Sequence, residues 1–123
     1  MGTKAVAFLA TANAAACRRF YSEVVGLAAL EETEFALVFA AFGTLLRVQK
    51  VEHVVVAPYT AFGLEVDAVD AAVDALAAKG VHGERYPHFE QDERAIWTSP
   101  SGARVFWFHD PDGHVISLTQ RRL

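Results

Sequence analysis

The chain has one cysteine, few charges and no stretch of clustered basic residues, and each shortage removes a class of function. Cys17 has no partner for an internal disulfide, and its place on a helical apolar face reads as a small buried hydrophobe rather than a catalytic thiol. Charged residues make up 21% of the 123 positions against 53% hydrophobic, which excludes disorder and predicts one domain with a well-filled interior. The net charge of −4 argues against an electrostatic nucleic-acid binder, and the pair Arg121-Arg122 reads as a solvated tail. Near the start, Lys4 precedes an apolar run broken by Asn13 and Arg18-Arg19, so neither a signal peptide nor a spanning helix is expected, and the expected location is cytoplasmic. Catalytic signatures are missing too: no Ser-His-Asp arrangement, phosphate-cradling glycine loop or nucleotide fingerprint is visible. His53, His82, His88, His109 and His114 show no His-x-x-x-His or Cys-paired metal spacing, and His109 and His114, flanking a turn, are expected to face solvent or the sheet end.

What is present is a repeated order of elements. Residues 4–11 form an apolar run of strand length, Asn13 is placed to cap a helix, and Cys17, Phe20 or Tyr21, and Val24 recur at helical spacing until Gly26 stops it. Strands are predicted at 28–31, 35–40 and 44–49, with a turn at Gly43. The second half begins with a strand at 60–66; Asp67 is predicted to cap a helix whose Val69, Val73 and Leu76 share a face and which Gly80 ends. A short stretch at 81–85 and a polar loop lead to strands at 95–99, 104–109 and 115–119. Asp110-Pro111-Asp112-Gly113 is the turn between the last two, because Pro111 presets φ, Gly113 accepts a positive φ, and both Asp side chains can bond nearby amides. The order strand, helix, three strands therefore occurs twice, at about 4–50 and 60–120 with a linker at 51–59. Either an internal duplication or a coincidental α+β meander produces it.

Three segments carry a resemblance: Phe20-Tyr21 with Gly26-Leu27 at the end of the first helix, Gly63-Leu64-Glu65-Val66-Asp67, and the Asp-Pro-Asp-Gly turn. Together they resemble the vicinal oxygen chelate superfamily, which contains glyoxalase I, extradiol dioxygenases, fosfomycin-inactivating enzymes and bleomycin-binding proteins, over nearly the whole chain. The resemblance implies an α+β fold of two βαβββ modules with mixed sheets curving around a shared cleft, and a homodimer. In that family a few His or Glu side chains from strands of both modules hold a divalent ion that polarises a substrate with adjacent oxygens. Here the first-strand ligand position falls on Ala5 or Val6, residues 44–49 contain no carboxylate and only the amide of Gln49, residues 60–64 contain no His, and Ser117 stands where the last-strand acid would be. Glu65 is the one acid near these positions. No metal and no cofactor are therefore expected.

Without a metal, the cleft becomes an apolar cavity with a few polar groups, the usual form of a small-molecule site. Strand parity sets Val115, Ser117 and Thr119 on its face. The candidate ligand-binding residues are Gln49, Glu65, Trp97, Trp107, Ser117 and Thr119. Trp97 and Trp107 suit a planar ligand or a cation, although each, like Phe8, Phe39 and Phe42, also reads as core. Glu65 is either a semi-buried cleft acid or the partner of Arg47 or another strand neighbour. The loop at 86–94 is either a lid, with Glu90 or Asp92 turned to a cationic group, or a solvated connection; His53 and Tyr59 in the linker reach the cleft entrance or are simply exposed. The function expected is metal-independent binding of a small, largely apolar or aromatic molecule, with neither nucleic acid nor membrane as partner. The rival is a lyase, isomerase or dioxygenase, metal-dependent through unconventional ligands or metal-free through Glu65 or a His.

Overall fold

The computed structural model describes residues 2–121, so Arg122 of the tail pair lies outside the described residues. The chain forms two compact units: one runs to Val56 and includes Asp110–Gly113, and the other comprises Ala57–His109 and continues from His114.

In the first unit β1 (Val6–Thr11), α1 (Ala14–Arg19), β2 (Ala28–Glu32), β3 (Ala36–Ala41) and β4 (Thr44–Lys50) build a sheet ordered β1-β4-β3-β2. β1 and β4 are parallel, which requires the long connection through α1 and the β2–β3 hairpin, and the other pairs are antiparallel. Asn13 caps α1 as expected, its side-chain oxygen accepting the Ala16 N–H at 3.1 Å. The helix then widens into a π turn over Phe20–Val24. A π turn shifts the phase of the side chains. This decides between the two aromatics: Tyr21 is 0% exposed while Phe20 is only partly covered. Gly26 ends the element at φ +89.

The face of this sheet that carries Leu9, Leu37, Phe39, Leu46 and Val48 is buried, and Tyr21 packs against Phe39 at 5.7 Å between ring centroids. Cys17 is buried with them. The opposite face, carrying Val6, Phe8, Leu45, Arg47 and Gln49 by strand alternation, has no helix. The Asp-Pro-Asp-Gly turn belongs to this unit: the Tyr21 hydroxyl donates to Asp110 Oδ2 at 2.6 Å, the Thr11 hydroxyl donates to Asp112 Oδ2 at 2.6 Å, and the Ala12 N–H donates to Asp112 Oδ1 at 3.0 Å.

The second unit repeats the plan. β5 (Thr60–Glu65), α2 (Val69–Ala78), β6 (Trp97–Thr98), β7 (Arg104–His109) and β8 (Val115–Gln120) form a sheet ordered β5-β8-β7-β6, again with its first and last strands parallel. Val69, Val73 and Leu76 are the buried stripe of α2, as their spacing predicts. Asp67 is not the cap. The helix starts at Val69, which leaves Ala68 in the cap position, and Gln120 Oε1 at the end of β8 accepts the Val69 N–H at 2.9 Å instead.

The strand expected at 95–99 shrinks to Trp97–Thr98 because Ala95, at φ +65, turns the backbone out of the extended region. The short stretch at 81–85 forms no strand, and its Glu84 N–H donates to the Trp107 carbonyl at 2.8 Å along the edge of β7. Gly83 makes that approach possible, since a methyl group there would sit 2.5 Å from Phe106 Cε1. The architecture is α+β with two βαβββ modules, as the resemblance implies. Among the described residues no helix is long and apolar enough to cross a membrane.

Candidate functional site

In the second sheet, register decides which side chains meet. Trp107 pairs with Ser117, Val105 with both Thr119 and Trp97, and on the other side of β8 Gly63 and Glu65 lie beside Ser117 and Thr119. Paired residues share a face. Glu65, Trp97, Trp107, Ser117 and Thr119 are thus together on one face, while α2 packs on the other, where Phe106 and Leu118 are buried. Gln49 lies in the first unit, exposed on the helix-free face of β4 between Ala10 and Ala36. Ser117 is 8% exposed, and Gly63 is what accommodates it, since a Cβ there would come within 2.8 Å of Ser117 Oγ. A glycine inside a strand marks this kind of close approach and was the readable sign of it.

The tryptophans are neither closed core nor bare wall. Their rings are stacked at 6.0 Å and 29°, both are half-buried, and a third ring covers them. Phe89 lies 5.2 Å from Trp107 at an interplanar angle of 9°, and 4.6 Å from Trp97 at 37°. Tyr86 meets Trp107 edge-on at 5.4 Å, and burial, with the Glu84 charge adding to it, pushes the Tyr86 phenol up. Phe89 did not stand out in the sequence, where Glu90 and Asp92 drew attention as the charged residues of its loop.

The loop owes its shape to Gln91. Its Oε1 accepts the Tyr86 N–H at 2.8 Å, and its Nε2 donates to the Glu84 carbonyl at 2.8 Å and the Ala95 carbonyl at 2.9 Å. Asp92 is engaged in the same framework, its Oδ1 accepting the N–H groups of Arg94 and Ile96, each at 2.9 Å. Arg85 adds a bond to the Asp92 carbonyl at 2.8 Å. Glu90 is exposed.

Glu65 is not a semi-buried cleft acid but an exposed one with an arginine partner. It ends β5 beside the end of β8, where Arg121 pairs with it at 2.7 Å with the Glu65 side chain 55% exposed. His109 projects from the strand position two beyond Trp107, and its Nδ1 is 3.3 Å from Glu84 Oε2. His114, expected to face solvent or the sheet end, is buried at the start of β8. His53 and Tyr59 are exposed. Behind the sheet, a cavity of about 290 Å³ lies between α2 and the segment that follows it, lined by Val73, Ala77, Gly83, Ala95 and Phe106. It is on the opposite face from the tryptophans, and the charges at its mouth, Asp74 and Arg94, bond each other at 2.9 Å.

The residues do not fit the divalent-ion centre that the resemblance implies. On the helix-free faces the matching strands present Val6, Gln49, Gly63 and Ser117, and among the described residues no three His, Cys, Asp or Glu side chains gather closely enough to hold an ion.

Two repeats of strand, helix and three strands, each leaving one sheet face free of helix, define a paired βαβββ protein. The family profile of the Glyoxalase/Bleomycin resistance protein/Dioxygenase superfamily matches residues 5–118, and the chain belongs to that superfamily. Among solved structures, a putative glyoxalase family protein from Bacillus anthracis is 14% identical with a TM-score of 0.77, the match covering 99% of this chain and 97% of that one. Lactoylglutathione lyase from Agrobacterium tumefaciens is 16% identical with a TM-score of 0.72 over 98% of this chain and 94% of that one. TioX from Micromonospora sp. ML1 is 17% identical with a TM-score of 0.71 over 98% and 100%. No curated protein matches the sequence. Identities this low establish the fold, and the same fold carries different activities.

Proposed function

We propose that this protein binds a small, largely apolar or aromatic molecule on the helix-free face of its second sheet, without a metal. The observation that carries the reading is the pair of stacked, half-buried tryptophans sharing that face with the hydroxyls of Ser117 and Thr119. Flat rings supply most of the contact for an aryl group, and a few hydroxyls orient it. Glu65 stands at the rim with its charge balanced by Arg121, and Gln49 is the amide that the first unit offers on its own helix-free face. The same reading takes the chain as one domain with modules at 4–50 and 60–120 and a linker at 51–59, acting as a cytoplasmic homodimer; exposed Val55 and Tyr59 are apolar surface for such a dimer to cover.

Thermal-shift titration with indole and 2-naphthol tests the site. Ligand-dependent stabilisation is expected for the wild type and is expected to disappear in Trp107→Ala. Unchanged stabilisation in both Trp97→Ala and Trp107→Ala removes the tryptophans from the site. One tightly bound divalent ion per chain, found by elemental analysis of protein purified without chelator, overturns metal independence.

A second reading has one observation in its favour. His109 and Glu84 form a carboxylate–imidazole pair on the tryptophan face, the arrangement that orients a general base, which favours a metal-free isomerase or lyase working through a His. Glu65, held by Arg121, fits that role less well.

A further inference from the structure

Resting on the reading of the tryptophan face as the ligand site, we infer that Phe89 is an internal occupant of that site, and that an aromatic ligand binds by displacing it. The Phe89 ring lies almost parallel to Trp107 and also contacts Trp97, which is the placement a planar ligand on the two indoles would take. No further ring fits beneath it. Neighbouring aromatic rings keep their centroids roughly 4.5–7 Å apart, so a ligand inserted between Phe89 and Trp107 needs about twice the present 5.2 Å. Phe89 must therefore leave, or the ligand stays off the platform.

The loop is built so that it can leave. Its two shoulders are fixed: Gln91 ties Tyr86, Glu84 and Ala95 together, and Arg85 holds the Asp92 carbonyl. Between them lie Pro87, His88, Phe89 and Glu90. Of the described hydrogen bonds, the one made by this tip is the Phe89 N–H to the Tyr86 carbonyl at 3.1 Å, a bond local to the turn. What holds the tip in place is ring contact, from Phe89 to both tryptophans of the sheet, and from Phe89 and His88 to Tyr86 on the fixed shoulder, each at 6.2 Å. Swinging the tip outward breaks these stacks and leaves the shoulders intact, and a short segment of low local stability between fixed ends is the usual form of such a gate.

A tethered phenyl ring on the platform has two consequences. Ligand affinity is reduced by the fraction of molecules in which the platform is free. Selectivity also follows: a ligand has to offer more flat surface than one benzene ring, so fused bicyclic aryl groups are favoured over monocyclic ones.

Calorimetric titration of the 123-residue chain with 2-naphthol and with phenol, comparing wild type, Phe89→Ala, Phe89→Leu and Trp107→Ala, tests this. Phe89→Ala, which removes the ring from both tryptophans, is expected to bind 2-naphthol at least about tenfold more tightly than wild type, and to narrow the preference for 2-naphthol over phenol. Without ligand, its tryptophan fluorescence is expected to be more readily quenched by acrylamide. Phe89→Leu keeps bulk but no ring and should fall between the two, and it carries the test alone if Phe89→Ala fails to fold. Equal or weaker binding by the Phe89 variants, with binding lost in Trp107→Ala, makes Phe89 a wall of the site and overturns the inference while the site stands. Absence of binding to wild type and to both folded Phe89 variants overturns the site and the inference together.

Discussion

The two units share a strand order and differ in how each repeat is finished. In the first, β2 is a five-residue strand completing the sheet edge, and the conspicuous interactions are polar and covered: Tyr21 to Asp110 and Thr11 to Asp112. In the second, the equivalent strand β6 is two residues long, and the chain ahead of it forms the Gln91-stapled loop that lays Phe89 over the tryptophans. The repeat thus preserves what backbone pairing needs. Where the second copy departs from it, aromatic surface is left half-covered on the face that carries the candidate site. A shortened strand trades ladder hydrogen bonds for a loop, and loops on a rigid sheet are where binding residues concentrate.

Breaking the polar anchor of the first unit should have the largest effect. Tyr21→Phe leaves the buried Asp110 carboxylate without its hydroxyl donor and is expected to lower stability by about 1.5–3 kcal/mol, the range for a hydrogen bond to a charged group, read by urea denaturation at pH 7. The same region dictates an alkaline limb. Burial, with the Asp110 charge next in importance, pushes the Cys17 thiol up to about 12 from 9.0 and raises the Tyr21 phenol as well. Both groups are held neutral by the fold, so their contribution is complete below about pH 9 and is lost as pH rises through their folded values. Tyr21→Phe should flatten that limb, and an alkaline profile identical to wild type would remove Tyr21 from it.

The helix caps give a smaller and more pointed comparison. Asn13 caps α1 from within its own turn, whereas α2 borrows Gln120 from β8. Asn13→Ala and Gln120→Ala should each cost about 1 kcal/mol, while Asp67→Ala should leave stability nearly unchanged. A large loss for Asp67→Ala together with none for Gln120→Ala would reverse the assignment.

The smallest effect is a gain. Phe42 and Gly43 form the two-residue turn between β3 and β4, both at positive φ, and Phe42 is 78% exposed at φ 51. Asn tolerates that conformation better in such a turn, so Phe42→Asn should raise stability by roughly 0.5–1 kcal/mol, read as a higher urea midpoint. A fall would mean that the Phe42 ring contributes contacts outweighing its backbone strain.

Much of this was legible in the sequence. Alternation along 115–119 correctly grouped Ser117 and Thr119, and pairing then brought Trp97, Trp107 and Glu65 to the same face, because side-chain direction in a strand follows from residue parity alone. Asn13, Gly26 and Gly80 marked helix ends by local chemistry, and two of these are glycines at positive φ. Asp67 failed as a cap because a competing acceptor, Gln120, arrives from 51 residues away. The span 95–99 failed as a full strand because Ala95 adopts a backbone conformation its residue type does not announce. The partner of Glu65 and the burial of His114 were equally out of reach, as both depend on which strand ends come together.

The amino-acid sequence by itself determined the elements, their duplicated order and the superfamily, since periodicity, turn chemistry and capping act over a few residues. Tertiary structure alone decided that Asp110-Pro111-Asp112-Gly113 is fastened to Tyr21 and Thr11 of the first unit, and that Phe89 rests on Trp97 and Trp107. The first joins residues about a hundred positions apart. In both, what fixes the outcome is the burial of a polar or aromatic group against one particular neighbour, and only the packed chain supplies that neighbour.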